Sequence, residues 1–113
     1  MSLRDKTSGM LFLVDSGADV SVFPVSLVDR PPSVSSGHLI AANGTAIKTF
    51  GVKELPLVFH TLCVSHKFFL ADVPRPILGS DFFSKAGLLI DLRNRQLVRF
   101  SRPVEDSLSL IHL

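Results

Sequence analysis

At 113 residues, with 46% hydrophobic and 19% charged side chains, the chain is sized for one core and too apolar for intrinsic disorder. Its formal charge of +2 and pI near 9.0 are too mild a balance to imply a nucleic-acid partner without a basic face. The single cysteine, Cys63, excludes an intrachain disulfide and reads as a small buried hydrophobe. No apolar stretch approaches the roughly 20 residues of a membrane-spanning helix, and the first residues hold no apolar signal-peptide core.

Residues 10–14, MLFLV, form a continuous apolar run ending at Asp15-Ser16-Gly17, which predicts a strand buried on both faces that runs into a tight turn. Residues 18–23 predict a second strand, broken by Pro24, and residues 29–37, DRPPSVSSG, a surface loop. In residues 38–49 the Asn43-Gly44 pair predicts a hairpin with a type I′ turn at its tip. Residues 51–59 and 67–73 read as strands, with a turning segment over 60–66 between them. Ser80 is expected to cap a short helix over residues 81–86 through its hydroxyl, and Gly87 to end it in the left-handed conformation. Residues 88–91 and 96–100 flank Arg93-Asn94-Arg95 as a last hairpin. Leu108 and Leu110 alternate with Ser107 and Ser109, so the tail reads as an edge strand.

An Asp-Ser-Gly turn by itself is an ordinary Asx-type turn. Its place directly after five apolar residues is what draws attention, since a carboxylate there is costly to desolvate unless a partner or a function holds it. The ordered set LFLVDSGADVSVFP, AANGT, ADVPRPILGSDFF and LLIDLRNRQLVRF resembles retroviral-type aspartic proteases, and most the gypsy-type retrotransposon branch, over residues 11–100.

The resemblance implies an all-β acid-protease fold: a closed, barrel-like domain with a flap hairpin and one short C-terminal helix. It would fill residues 1–113 as a single domain, with 1–8 and 103–113 as flexible termini. Only one Asp-Ser/Thr-Gly motif exists in the chain, so the resemblance implies a homodimer whose catalytic pair is Asp15 and the Asp15 of a second copy. Such a dyad shares a proton, activates a water against the scissile carbonyl and protonates the leaving amide nitrogen, with no cofactor or metal. Ser16, where most members carry Thr, would brace the two catalytic turns across the axis, and Gly17 would let the turn approach the peptide. Ala18, Asp19, Val20 and Val22 match groove-lining positions. Residues 40–48 match the flap, with Ala42, Asn43 and Gly44 near the bound peptide. Ile77 would line a side-chain pocket with Pro74 and Arg75 at its rim, and Leu78 would add to the apolar wall. Ser80 stands where retroviral enzymes carry Arg, which removes an ion pair to Asp19; Arg4 and Arg102 are candidates to replace it.

The function so implied is an endopeptidase cleaving a Gag-Pol-type retroelement polyprotein, bound as an extended strand, in the cytoplasm within virus-like particles. The alternative is a catalytically idle dimerisation or peptide-binding module on the same fold. Three other signals weigh less. His60, Cys63 and His66 are spaced like metal ligands, but a strand puts Cys63 opposite both histidines, which read as surface or hairpin residues. Cys63 and Ser16 lack the settings of nucleophiles. Arg93, Arg95, Arg99 and Arg102 read as a solvated edge rather than a nucleic-acid site.

Overall fold

The computed structural model describes residues 1–32, 34–41, 43–91, 93, 94, 96–100 and 108–112. Seven strands, β1 (Ser2–Arg4), β2 (Leu11–Val14), β3 (Val22–Pro24), β4 (Gly37–Ile40), β5 (Ala46–Phe59), β6 (Leu62–Ala71) and β7 (Ile77–Leu78), form one sheet in the order β1-β2-β7-β3-β6-β5-β4. Helix α1 (Ser80–Ala86) follows, then a three-stranded antiparallel sheet of β8 (Leu88–Asp91), β9 (Gln96–Phe100) and β10 (Leu108–His112), with β9 in the middle. The pairs β2–β7 and β3–β6 are parallel. No helix among the described residues is long and apolar enough to cross a membrane.

Phenylalanine fills the core. Phe12 of β2, Phe23 of β3, Phe59 of β5, Phe68 of β6 and Phe82 of α1 meet edge-on or tilted, with centroids 5.6 to 6.4 Å apart. That geometry sets the positive ring edge against a negative face. The sheet also closes on itself around these rings. In the turn between β1 and β2, Lys6 N–H donates to the Val58 carbonyl at 2.8 Å, and the buried Asp5 carboxylate accepts from Val58 N–H at 2.8 Å. Asp5 also accepts from the Ser8 hydroxyl and from the N–H groups of Thr7 and Ser8. Burial alone would raise its pKa; the Ser8 hydroxyl and the three backbone donors outweigh burial and hold the carboxyl below its ordinary value.

Several local expectations change. The turn expected over 60–66 shrinks to His60-Thr61, because Phe59 pairs with Leu62 and His60 takes φ 55°. Strand β6 starts early because its alternate residues Leu62, His66, Phe68 and Leu70 all face the core. That register buries His66, expected at the surface, and exposes Cys63, expected inside. In β2 only Phe12 is fully buried and Leu11 is 49% exposed, since a single face of that strand meets the core. Pro24 ends β3 from within as its last residue, a terminal position that tolerates the missing N–H. Leu3, within the segment read as a flexible terminus, is buried in β1.

The β4–β5 hairpin is not tipped by a two-residue type I′ turn. Ala41 N–H donates to Thr45 O at 2.8 Å and Gly44 N–H to Ala41 O at 2.9 Å, with Gly44 at φ 84°. Helix α1 ends at left-handed Gly87 as expected, φ 66°, but its N-cap is Gly79 and carries no side-chain cap. The first turn is satisfied elsewhere: Ser80 and Asp81 N–H donate to the carbonyls of Ala18 and Asp19, and the Asp81 carboxylate accepts from Phe82 N–H.

Candidate active site

Strand β2 delivers Asp15 to the surface at its C-terminal end, between the sheet and the turn that follows. Val14 pairs with Leu78 of β7, and Asp15 N–H continues the ladder to the Leu78 carbonyl at 3.0 Å. The chain then turns sharply: Ala18 N–H donates to Asp15 O at 3.1 Å, and Gly17 N–H to the Asp15 carboxylate at 3.1 Å. A Cβ on residue 17 would come 3.3 Å from that same carboxylate oxygen, so glycine keeps the approach open. In the single chain Asp15 is exposed, so the desolvation argued from the sequence is not met within one protomer. Ser16 is also exposed and makes no side-chain hydrogen bond within the described residues.

Asp15 opens into a cleft of about 610 Å³ between this turn and the β4–β5 hairpin. Gly17, Ala18, Asp19, Val20 and Val22 form one wall with Ile77 and Val73, while Leu39, Ile40, Ala41 and Ile47 descend from the hairpin. Among the described residues, every lining side chain except the two aspartates is apolar, and none is basic. The cleft thus combines a carboxylate with no ion-pair partner among the described residues and walls suited to apolar side chains.

The structure therefore brings Ala18, Asp19, Val20, Val22 and Ile77 together with Asp15. Arg75 is exposed and lies outside the lining, as do Asn43 and Gly44 at the hairpin tip; Ala42 falls outside the described residues. Leu78 is fully buried, so it supports the floor rather than a wall. Val73, Leu39 and Ile47 line the cleft without having been singled out from the sequence, because facing the cleft depends on how the hairpin folds over the sheet. Among the described residues no three histidine, cysteine or acidic side chains converge as metal ligands.

What holds the loop that carries Asp15 is also visible only here. Arg4 donates to the Gly9 carbonyl rather than to Asp19, and Arg102 lies outside the described residues. In place of an arginine, the first N–H groups of α1 grip the Ala18 carbonyl at 2.7 Å and the Asp19 carbonyl at 3.3 Å. Gly79 makes this approach feasible, since a Cβ there would lie 2.5 Å from the Val20 carbonyl oxygen and 2.8 Å from that of Ala18. Beneath the loop, fully buried Ser21 donates its hydroxyl to the Asp81 carboxylate at 2.7 Å and accepts from Gly79 N–H at 3.0 Å.

No protein-family model and no curated protein sequence matches the chain. Solved structures do. The EIAV protease complexed with the inhibitor HBY-793 superposes with a TM-score of 0.61 at 21% identity, over 81% of this chain and 90% of that one. The retroviral protease-like domain of Ddi1 from Leishmania major superposes with a TM-score of 0.63 at 18% identity, over 89% of this chain and 86% of that one. At these identities the likeness establishes the fold.

Proposed function

We propose that this chain, which has the fold of retroviral proteases, is one protomer of an aspartic endopeptidase whose catalytic pair is Asp15 and the Asp15 of a second copy. The observation that carries the reading is the position of Asp15: at the end of β2, in a turn pinned to β7, facing an apolar cleft that has no basic side chain among the described residues that line it. A lone carboxylate lacks the acid partner that peptide hydrolysis needs, and the chain supplies no second one in a matching motif. A twofold axis beside the turn supplies it. Two carboxylates held together share one proton, so one serves as base towards water while the other protonates the departing nitrogen.

The peptide would lie extended beneath the β4–β5 hairpin, its apolar side chains against Val20, Val22, Ile47 and Ile77. The sequence resemblance supports a retroelement polyprotein as the substrate class. The exposed Ser16 hydroxyl, unused among the described residues, suits a bond across the axis.

The test is cleavage of polyprotein-derived peptides by the wild type and by Asp15→Asn, from acidic to neutral pH, with a pepstatin-type inhibitor as control. The substitution is expected to lower the rate by about 100-fold or more, the usual scale of acid–base catalysis. Cleavage that persists in Asp15→Asn removes the reading. Peptide binding without cleavage in the wild type establishes instead the idle binding module, which the Asx-like bond from Gly17 N–H to Asp15 would equally suit.

A further inference from the structure

Away from the cleft, one buried titratable group has no part in the chemistry above. His66 on β6 is 4% exposed, its ring set edge-on between Phe68 and Phe82 at centroid distances of 5.3 and 5.2 Å. Its Nε2 lies 3.2 Å from the Asp81 carboxylate, an acceptor that this nitrogen meets as an N–H donor. Its Nδ1 is buried and finds no partner among the described residues. A buried polar atom left unpaired is destabilising, a cost that a phenylalanine at the same place would not incur. Among the described residues, the one polar interaction that the ring makes is with Asp81.

Asp81 in turn holds the end of the loop that starts at Asp15. Its carboxylate accepts from Ser21 N–H at 3.1 Å, the Ser21 hydroxyl at 2.7 Å, Phe82 N–H at 2.7 Å and His66. Residues 15–21 form no helix or strand, so these bonds help decide where the loop lies, together with the grip of α1 on the Ala18 and Asp19 carbonyls, the Phe69 N–H on the Ser21 carbonyl and the Gly79 N–H on the Ser21 hydroxyl. The Asp81 side chain is 32% exposed and can turn to water. The His66 ring is one of the groups that hold it inward, on the same oxygen that accepts from Ser21 N–H.

We infer that His66 and Asp81 are positioning residues for the loop of residues 15–21: His66 seats the Asp81 carboxylate, Asp81 seats Ser21, and the loop so fixed holds Asp15 in register at the cleft. The kinetic consequence rests on the protease reading, while the structural one does not.

Two substitutions separate positioning from packing. His66→Phe keeps the ring and its edge-on contacts but removes the N–H, whereas His66→Gln keeps a donor at similar reach but loses the ring. Positioning predicts that His66→Phe unfolds at or above the wild-type temperature yet loses about tenfold in kcat for peptide cleavage, and that His66→Gln, though less stable, recovers most of that loss. Activity that follows stability instead, with the Phe variant fully active and the Gln variant impaired, overturns the inference. Should His66→Gln not fold, Ser21→Ala breaks the same link from the loop side. Combined with His66→Phe it is expected to add little further loss, and independent, multiplying losses overturn the inference.

Amide hydrogen exchange supplies the arm that needs no activity. In His66→Phe the amides of Ser21 and Gly79 are expected to exchange faster than in the wild type, while those of Leu57 and Phe59 stay unchanged. Faster exchange there in His66→Phe, where the wild type itself cleaves nothing, sustains the positioning role and removes the protease reading. Unchanged exchange at Ser21 and Gly79 removes the positioning role whatever the activity.

Discussion

Gly79 joins the two halves of the site at a point where no side chain fits. Its N–H is bonded to the Ser21 hydroxyl, and a Cβ would press on backbone carbonyls of residues 18 and 20, which cannot move without moving the loop that bears Asp15. Gly79→Ala is therefore expected to destabilise the protein by about 1–3 kcal/mol, read by denaturant unfolding, and to depress cleavage beyond what the lost stability explains. An alanine variant with wild-type stability would show that the helix can back away from the loop. The sequence marks Gly79 as part of ILGS, but nothing in it reveals that the neighbour is the Val20 carbonyl, some sixty positions earlier. Asp15 was legible for the opposite reason: an acid placed directly after an unbroken apolar run is a local pattern.

Among the elements, the β1–β2 turn does more than reverse the chain, since Asp5 in it ties one end of the large sheet to Val58 of β5 near the other. The carboxyl is held below its ordinary pKa in the folded state, burial being outweighed by the Ser8 hydroxyl and the backbone donors. The folded form thus binds this proton less readily than the unfolded chain does. The stability Asp5 contributes is present above its unfolded pKa and is lost as pH falls through the depressed folded value. Asp5→Asn is expected to lower stability near neutral pH and to flatten its decline on the acid side, measured by urea unfolding across that range. A variant with unchanged acid dependence would remove the clasp role. Strand β6 teaches a second lesson about elements. Its inward residues Leu62, Val64, His66, Phe68 and Leu70 hold strict period-two register, and that pattern is present in the sequence. The histidine in the middle, flanked by polar Ser65 and Lys67, disguised it as a turn, although a buried histidine only needs one partner and Asp81 supplies it.

On the scale of the whole molecule, one protomer exposes half of the proposed catalytic pair, and activity is expected to depend on association. Cleavage per chain should fall on dilution, and an excess of Asp15→Asn chains added to the wild type should suppress activity by forming dimers with one competent carboxylate. Activity per chain that is independent of concentration, at a monomeric mass, would contradict a site shared between copies. The two-sheet layout bears on this too. Strand β10 is already paired with β9 of its own chain, from Leu108–Phe100 to His112–Gln96, so the tail is an edge strand with one ladder satisfied before any partner arrives.

The sequence by itself determined the strand-rich class, the helix ending at Gly87, the final hairpin and the carboxylate turn, because each depends on residues within a few positions of one another. Only the tertiary structure decided which side chains share the cleft, why position 79 must be glycine, and that His66 and Asp81 stand behind the loop of Asp15. Those relations join segments that are distant along the chain and meet only where the sheet folds over its phenylalanine core, and no local pattern of residue types encodes such a meeting.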